Sequence, residues 1–211
     1  MQADIREAAR VVMREHGVAA LSLRKVAQHM HMQAPSLYAY FPSKQALYDA
    51  LYRRAVRLFM TYQDRELEGR VGFWDRLQAR LEAYMRFAQE QPDLYQLALE
   101  RPVPGFAPSD ESFEESRQVL AEFEQELAEA VESGEIAPDV TLTQARNLVT
   151  AMTHGLASQH LANEPQLPVG SGRYGSLIPA AIALFRAAWP PPHRTQERRQ
   201  REPEGQTVGD E

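Results

Sequence analysis

The residues best equipped for chemistry fall into three groups, and two of them do not converge. His154 and His160 stand six positions apart, about 600° of rotation along an α-helix, so their rings leave from different faces. A helical zinc pair needs i, i+4 spacing instead. The carboxylates Glu111, Glu114, Glu115, Glu122, Glu124, Glu126 and Glu129 follow the spacing of a solvated helix face. There is no cysteine, and neither a nucleophile elbow nor a phosphate-cradling glycine loop occurs. These patterns predict no catalysis, no metal and no cofactor. The third group lies between Ser22 and Lys44, where hydroxyls (Ser22, Ser36, Tyr38, Tyr40), the amide of Gln33 and the cations Arg24 and Lys44 are interleaved with apolar residues. Such groups suit phosphate oxygens and base edges.

Positioning those groups needs short helices. Ile5, Ala8, Ala9, Val12 and Met13 make one apolar stripe, ended by Gly17. Ser22 then precedes Leu23, Val26, Ala27 and Met30, a second helix with a hydroxyl at its N-cap. A turn at 31–34 leads to Pro35, read as the first residue of a third helix running to about Tyr40. Ser43 caps a long fourth helix reaching about Gly69. Three short helices with a tight turn between the second and third form a helix-turn-helix, at about 22–41, whose third helix fits the DNA major groove. Leu23, Val26, Ala27, Met30, Leu37 and Phe41 face inward in that arrangement. Tyr38 and Tyr40 stand exposed, with partial core packing the competing reading for Tyr40.

Longer helices are expected at 73–90, 92–100, 112–133, 142–162 and 174–189, which makes the chain all-α. Residues 1–55 then form a DNA-binding domain and 56–189 a helical effector-binding and dimerisation domain. A polar tail at 190–211 has too little to bury and is expected to be disordered. Hydrophobic residues make up 44% and charged residues 25% of the 211, ordinary values for a soluble protein. No apolar run approaches the ~20 residues of a membrane span, and the N-terminus lacks a signal-peptide layout. A cytoplasmic location is expected. The net charge of −6 hides an asymmetry: residues 1–57 hold nine Lys/Arg against four Asp/Glu, a surplus of five positive charges, which leaves −11 for the rest. That division suits a polyanion-binding module joined to an acidic domain.

The string Leu-Ser-Leu-Arg-Lys-Val-Ala-Gln-His-Met at 21–30, with Ala-Pro-Ser-Leu-Tyr-Ala-Tyr-Phe-Pro-Ser-Lys-Gln-Ala-Leu at 34–47, closely resembles the DNA-binding domain of the tetracycline-repressor (TetR) family. The resemblance is close to about residue 55 and architectural beyond it. Thr150 to Leu156 also looks like the His-Gly segment of one subgroup. The resemblance implies a dimeric regulator that binds double-stranded operator DNA, represses by default and is released by a small-molecule effector. Its DNA contacts would fall on Ser22, Arg24, Gln33, Ala34, Pro35, Ser36, Tyr38 and Tyr40, with Lys44 matching the family's phosphate-gripping lysine. The family usually has glycine where His31 stands, in a turn that tends to need positive φ. Ala34 and Ala39 bring no hydrogen-bonding side chain to the third helix, so operator shape should contribute to readout.

In the second domain, Ala151, Gly155, Ser158 and Ala162 set small side chains along one helix face. In TetR-like proteins the last two helices pair across a dimer, and burial within one monomer is the competing explanation. Most middle-helix aromatics should be core. Phe59, Tyr62, Tyr84, Phe87 and His154 are the candidates to line an effector pocket. A helical ligand-binding dimer without DNA binding is the alternative reading, and Arg24, Tyr38 and Lys44 weigh against it.

Overall fold

The computed structural model describes residues 1–137 and 139–191, and all regular structure among them is helical. The N-terminal helices are α1 (Gln2–His16), α2 (Leu23–His29) and α3 (Ala34–Tyr38), with a 3-10 turn at Val18–Ala20. There follow α4 (Lys44–Leu67), α5 (Phe73–Glu90), α6 (Pro92–Tyr95), a π turn at Gln96–Glu100, α7 (Asp110–Glu132), α8 (Leu142–Asn163), α9 (Gly172–Gly175) and α10 (Ile178–Ala188). None of the described helices is long and apolar enough to cross a membrane.

Local chemistry sets the ends that matter. The Ser22 hydroxyl accepts from Lys25 N–H at 3.2 Å and that of Ser43 from Ala46 N–H at 3.1 Å. Each cap satisfies one of the N–H groups that a helix start leaves without a partner. Gly17 closes α1 at φ 85°, a value that side chains resist. In the turn between α2 and α3, His31 sits at φ 54°, the left-handed conformation that glycine would take without steric cost.

Several expected boundaries shift. Pro35 is the second residue of α3, after Ala34, which it tolerates because N–H groups throughout the first turn lack helical acceptors. The same helix stops at Tyr38, and Tyr40 belongs to the turn after it, before Pro42. The helix expected at 92–100 breaks into α6 and the π turn. That expected at 112–133 starts earlier because Ser109 caps Ser112 N–H. The one expected at 174–189 divides, since a proline at 179 has no N–H to donate and crowds the carbonyl four residues back. From residue 192 onward the expected disordered tail lies outside the described residues.

Two groups of buried side chains hold the molecule. One runs without a break from Ile5, Ala9 and Leu37 through Leu47, Tyr48 and Leu51 to Phe87, Leu94 and Tyr95. The helices α1–α3 and the α5–α6 region therefore share a core, with α4 the element common to both. The other joins α5, α7, α8 and α10 through Leu77, Leu127, Val149, Ile182 and Phe185. Side chains of this size contribute about 1.5–3 kcal/mol each when fully buried.

Candidate nucleic-acid interface and effector cavity

The short helix α3 is pinned by its inward side. Leu37 is fully buried and Phe41 nearly so, whereas Tyr38 is 54% and Tyr40 37% exposed. Gln33, Pro35 and Ser36 are also exposed, and Ala34 is half-buried. Tyr40 keeps only 37% of its surface exposed, so partial packing and an outward-facing hydroxyl go together there. Arg24 is exposed in the first turn of α2. Lys44 opens α4, its Nζ lying 3.4 Å from the Ala19 carbonyl oxygen and 5.1 Å from the centroid of the Tyr48 ring. These residues lie on α2, on α3 with the turns that flank it, and at the start of α4, and the exposed ones present donors suited to anions.

The positive surplus of the N-terminal residues needs correcting. Arg10 and Arg14 pair with Asp93, Arg53 with Glu111 and Glu115, Arg57 with Glu115, and Arg54 with Glu7. Much of that charge is spent in ion pairs with the second domain. Arg6, Arg24, Lys25 and Lys44 remain without an ion pair among the described residues. Counting charges along a chain cannot detect a carboxylate that folding brings from eighty residues away.

The Asp93 pairing forms a buried joint between α1 and α6. Arg10 is 5% exposed and Asp93 3%. Arg10 Nε donates to Asp93 Oδ2 at 2.8 Å, and Arg14 Nε to Asp93 Oδ1 at 3.0 Å. Burial pushes the Asp93 carboxyl up, but the two guanidiniums outweigh it and hold it below its ordinary 3.8. Arg10 also donates to Gln91 Oε1 at 2.5 Å, and Gln91 Nε2 donates to the Tyr62 hydroxyl at 3.2 Å. That hydroxyl donates in turn to Glu90 at 2.6 Å. Arg10 and Arg14 stand at i, i+4 beside the apolar stripe of α1, the one signal in the sequence that a buried partner awaited them.

A cavity of about 400 Å³ opens among α4, α5, α7, α8 and the π turn. Phe59, Tyr84, Phe87 and His154 line it. Tyr62 is not among its lining residues; its ring packs edge-on against Phe87, 5.6 Å between centroids, and its hydroxyl belongs to the joint. Tyr84 Oη lies 2.9 Å from His154 Nδ1 and Tyr95 Oη 3.3 Å from the same nitrogen. Burial pushes the Tyr84 hydroxyl far up, and burial with the nearby Glu100 charge pushes that of Tyr95 to about 12, so both are neutral hydroxyls. Sequence reasoning missed the rim: Leu99, Arg101, Phe113, Arg117 and Leu120. No periodicity marks them, because they come from the π turn and from the polar-looking half of α7.

On the opposite face of α8, Ala151, Gly155 and Ala162 are exposed and Ser158 is half-buried. Leu148 (57% exposed) and Met152 (37%) extend this face; Leu184 on α10 (62%) and Leu177 just before it (42%) are also exposed. Burial within the monomer does not account for the small-residue stripe. A Cβ added at Gly155 would meet nothing within 4 Å.

Residues 5–51 match the family described as bacterial regulatory proteins, tetR family, and residues 77–173 match the tetracyclin repressor-like C-terminal domain. The chain is 30% identical over 139 residues to the HTH-type transcriptional regulator Rv1816 of Mycobacterium tuberculosis, a stretch that covers 64% of this chain and 59% of that one. The match thus spans less than two thirds of the relative's length. Among solved structures, a protein of unknown function from Rhodococcus sp. RHA1 is similar over 89% of this chain and 94% of its own, with 23% identity and a TM-score of 0.74. The transcriptional regulator FadR from Bacillus subtilis, solved in complex with stearoyl-CoA, is similar over 88% of this chain and 97% of its own, with 17% identity and a TM-score of 0.72. At such identities these likenesses describe the fold, while the two family matches address sequence directly; together they show that the chain belongs to the TetR family.

Proposed function

We propose that this chain is a homodimeric, sequence-specific DNA-binding transcriptional regulator of the cytoplasm, a repressor that a small molecule releases from its operator. The observation that carries the reading is the exposure of Tyr38 on a helix whose Leu37 is fully buried: a rigid base holds a short helix with polar groups outward. Each half-site takes one α3 in the major groove. Gln33, Ala34, Pro35 and Ser36 reach base edges, Tyr38 and Tyr40 reach sugar, phosphate or a thymine methyl, and Ser22, Arg24 and Lys44 grip phosphate. The exposed apolar face of α8 and α10 is the dimer contact. It sets the two α3 helices about one helical turn, ~34–36 Å, apart or a multiple of it.

The cavity supports the effector half of the reading, being mostly apolar and bounded by four helices. Its occupant pushes on α4 through Phe59 and on the α5–α6 corner through Phe87. The Asp93 joint transmits that push to α1. Release requires the effector to favour the conformation that does not match successive grooves, because a ligand binding both states equally shifts nothing. The test is operator selection followed by fluorescence anisotropy at several salt concentrations. Dimer-dependent binding that competitor DNA of other sequence fails to displace supports the reading. Binding with no sequence preference overturns it.

A further inference from the structure

We propose that the effector is a single-chain amphiphile with an anionic head, its chain inside the cavity and its head held at the rim by Arg101 and Arg117. The inference rests on reading the cavity as the effector site. The chemistry of the cavity is divided by depth. Inside, Phe59, Leu81, Phe87 and Val149 offer only hydrocarbon, and Tyr84 and His154 supply neutral polar atoms. The one cation reaching inward, Arg80, is already engaged by Glu126 and Gln63. An anion has no free partner there.

The rim differs. The Arg101 and Arg117 guanidiniums lie 5.5 and 5.1 Å from the centroid of a single ring, Phe113, which itself lines the cavity. Two like charges gathered on one ring repel each other unless an anion joins them. Glu114 answers Arg117 from the solvent side. Arg101 has no carboxylate within 4 Å among the described residues, and Glu100 pairs with neither arginine. One positive charge is therefore left over beside exposed Leu99 and Leu120.

The backbone at Arg101 is a second, independent observation. It sits at φ 50°, ψ 52° directly after the π turn. A side chain there carries a steric cost that glycine would not incur. Strain of this sort and π turns both gather at functional sites. The strained position aims a cation at the mouth of an apolar cavity, where a carboxylate or phosphate could close a bidentate pair with it.

Calorimetric titration of the full chain with dodecanoate, dodecanol, methyl dodecanoate and dodecanoyl-CoA, each below its micelle concentration, tests this. The acid or the thioester should bind about tenfold or more tighter than alcohol and methyl ester, as expected for one charge-assisted pair. Which of the two binds tighter tells whether the head is a carboxylate or the phosphates of the thioester. Arg101→Gly should abolish the preference for anions while raising the melting temperature, because it removes strain together with charge. Arg117→Ala should weaken the preference. Equal binding of all four ligands by the wild type would overturn the anionic head and leave the effector site standing. Binding of none would overturn the amphiphile itself, and the effector reading would then fall only with the operator-selection test above.

Discussion

At Arg24 and Lys44 two cations stand near the exposed α3 without an ion pair among the described residues. They are not equivalent. Arg24 is free in solvent, whereas Lys44 leans on the Tyr48 ring and the Ala19 carbonyl, so its ammonium is held in place before DNA arrives. Arg24→Ala and Lys44→Ala should each weaken binding to every DNA sequence by a similar factor and lower the magnitude of the salt slope by about one. Anisotropy titrations from low to moderate salt measure it. Slopes identical to wild type for both variants would remove these residues from the phosphate contacts. These two were legible from their residue types and place. Arg53, Arg54 and Arg57 read the same way in sequence, yet they serve ion pairs within the fold.

Among the elements, α1 and α6 are coupled by a carboxylate buried between two arginines. Replacing Asp93 with asparagine leaves the buried Arg10 with only the half-exposed Glu7, 3.7 Å away, as counter-ion, and should cost up to about 3–5 kcal/mol of stability. The pH dependence follows from the lowered folded-state pKa. The contribution of Asp93 is complete above its ordinary 3.8 and is lost as pH falls through the still lower folded value. Thermal melts between pH 7 and pH 3 should show an acid limb in the wild type that is shallower in Asp93→Asn. Glu115 and Glu164, also lowered by arginine partners, keep part of the limb. An unchanged acid limb in the variant would show that the joint is not under charge control. Helix existence was legible in sequence because apolar spacing and caps are local. Division of the expected 92–100 helix was not, since the π turn answers to what packs around Leu97 and Ala98.

For the molecule as a whole, the proposed contact with a second copy uses the exposed side of α8 (Leu148, Ala151, Met152, Gly155, Ala162), with Leu184 on α10 and Leu177 just before it. Gly155→Leu sharpens this into a measurement, because its Cβ meets nothing in the monomer. The variant should keep its helicity and cavity yet lose dimerisation, a close helix contact being overpacked at a cost of about 1–3 kcal/mol. Sedimentation across a concentration series reads it directly. A Gly155→Leu protein that stays as tight a dimer as wild type would place the interface on another face.

The sequence by itself determined what depends on near neighbours along the chain. Ser22 and Ser43 cap because a hydroxyl there reaches an N–H three residues on. Of the inward set, Leu23, Val26, Ala27, Leu37 and Phe41 are buried as helical period requires, and Met30 is half-buried against them. Tertiary structure alone decided which charges neutralise one another, which aromatics face a cavity and which fill a core. Arg10 finds Asp93, and Phe59 reaches the cavity while Tyr62, three residues on, turns to Glu90. Those outcomes depend on the packing angles of helices far apart in sequence, and no local spacing encodes the angle at which two helices meet.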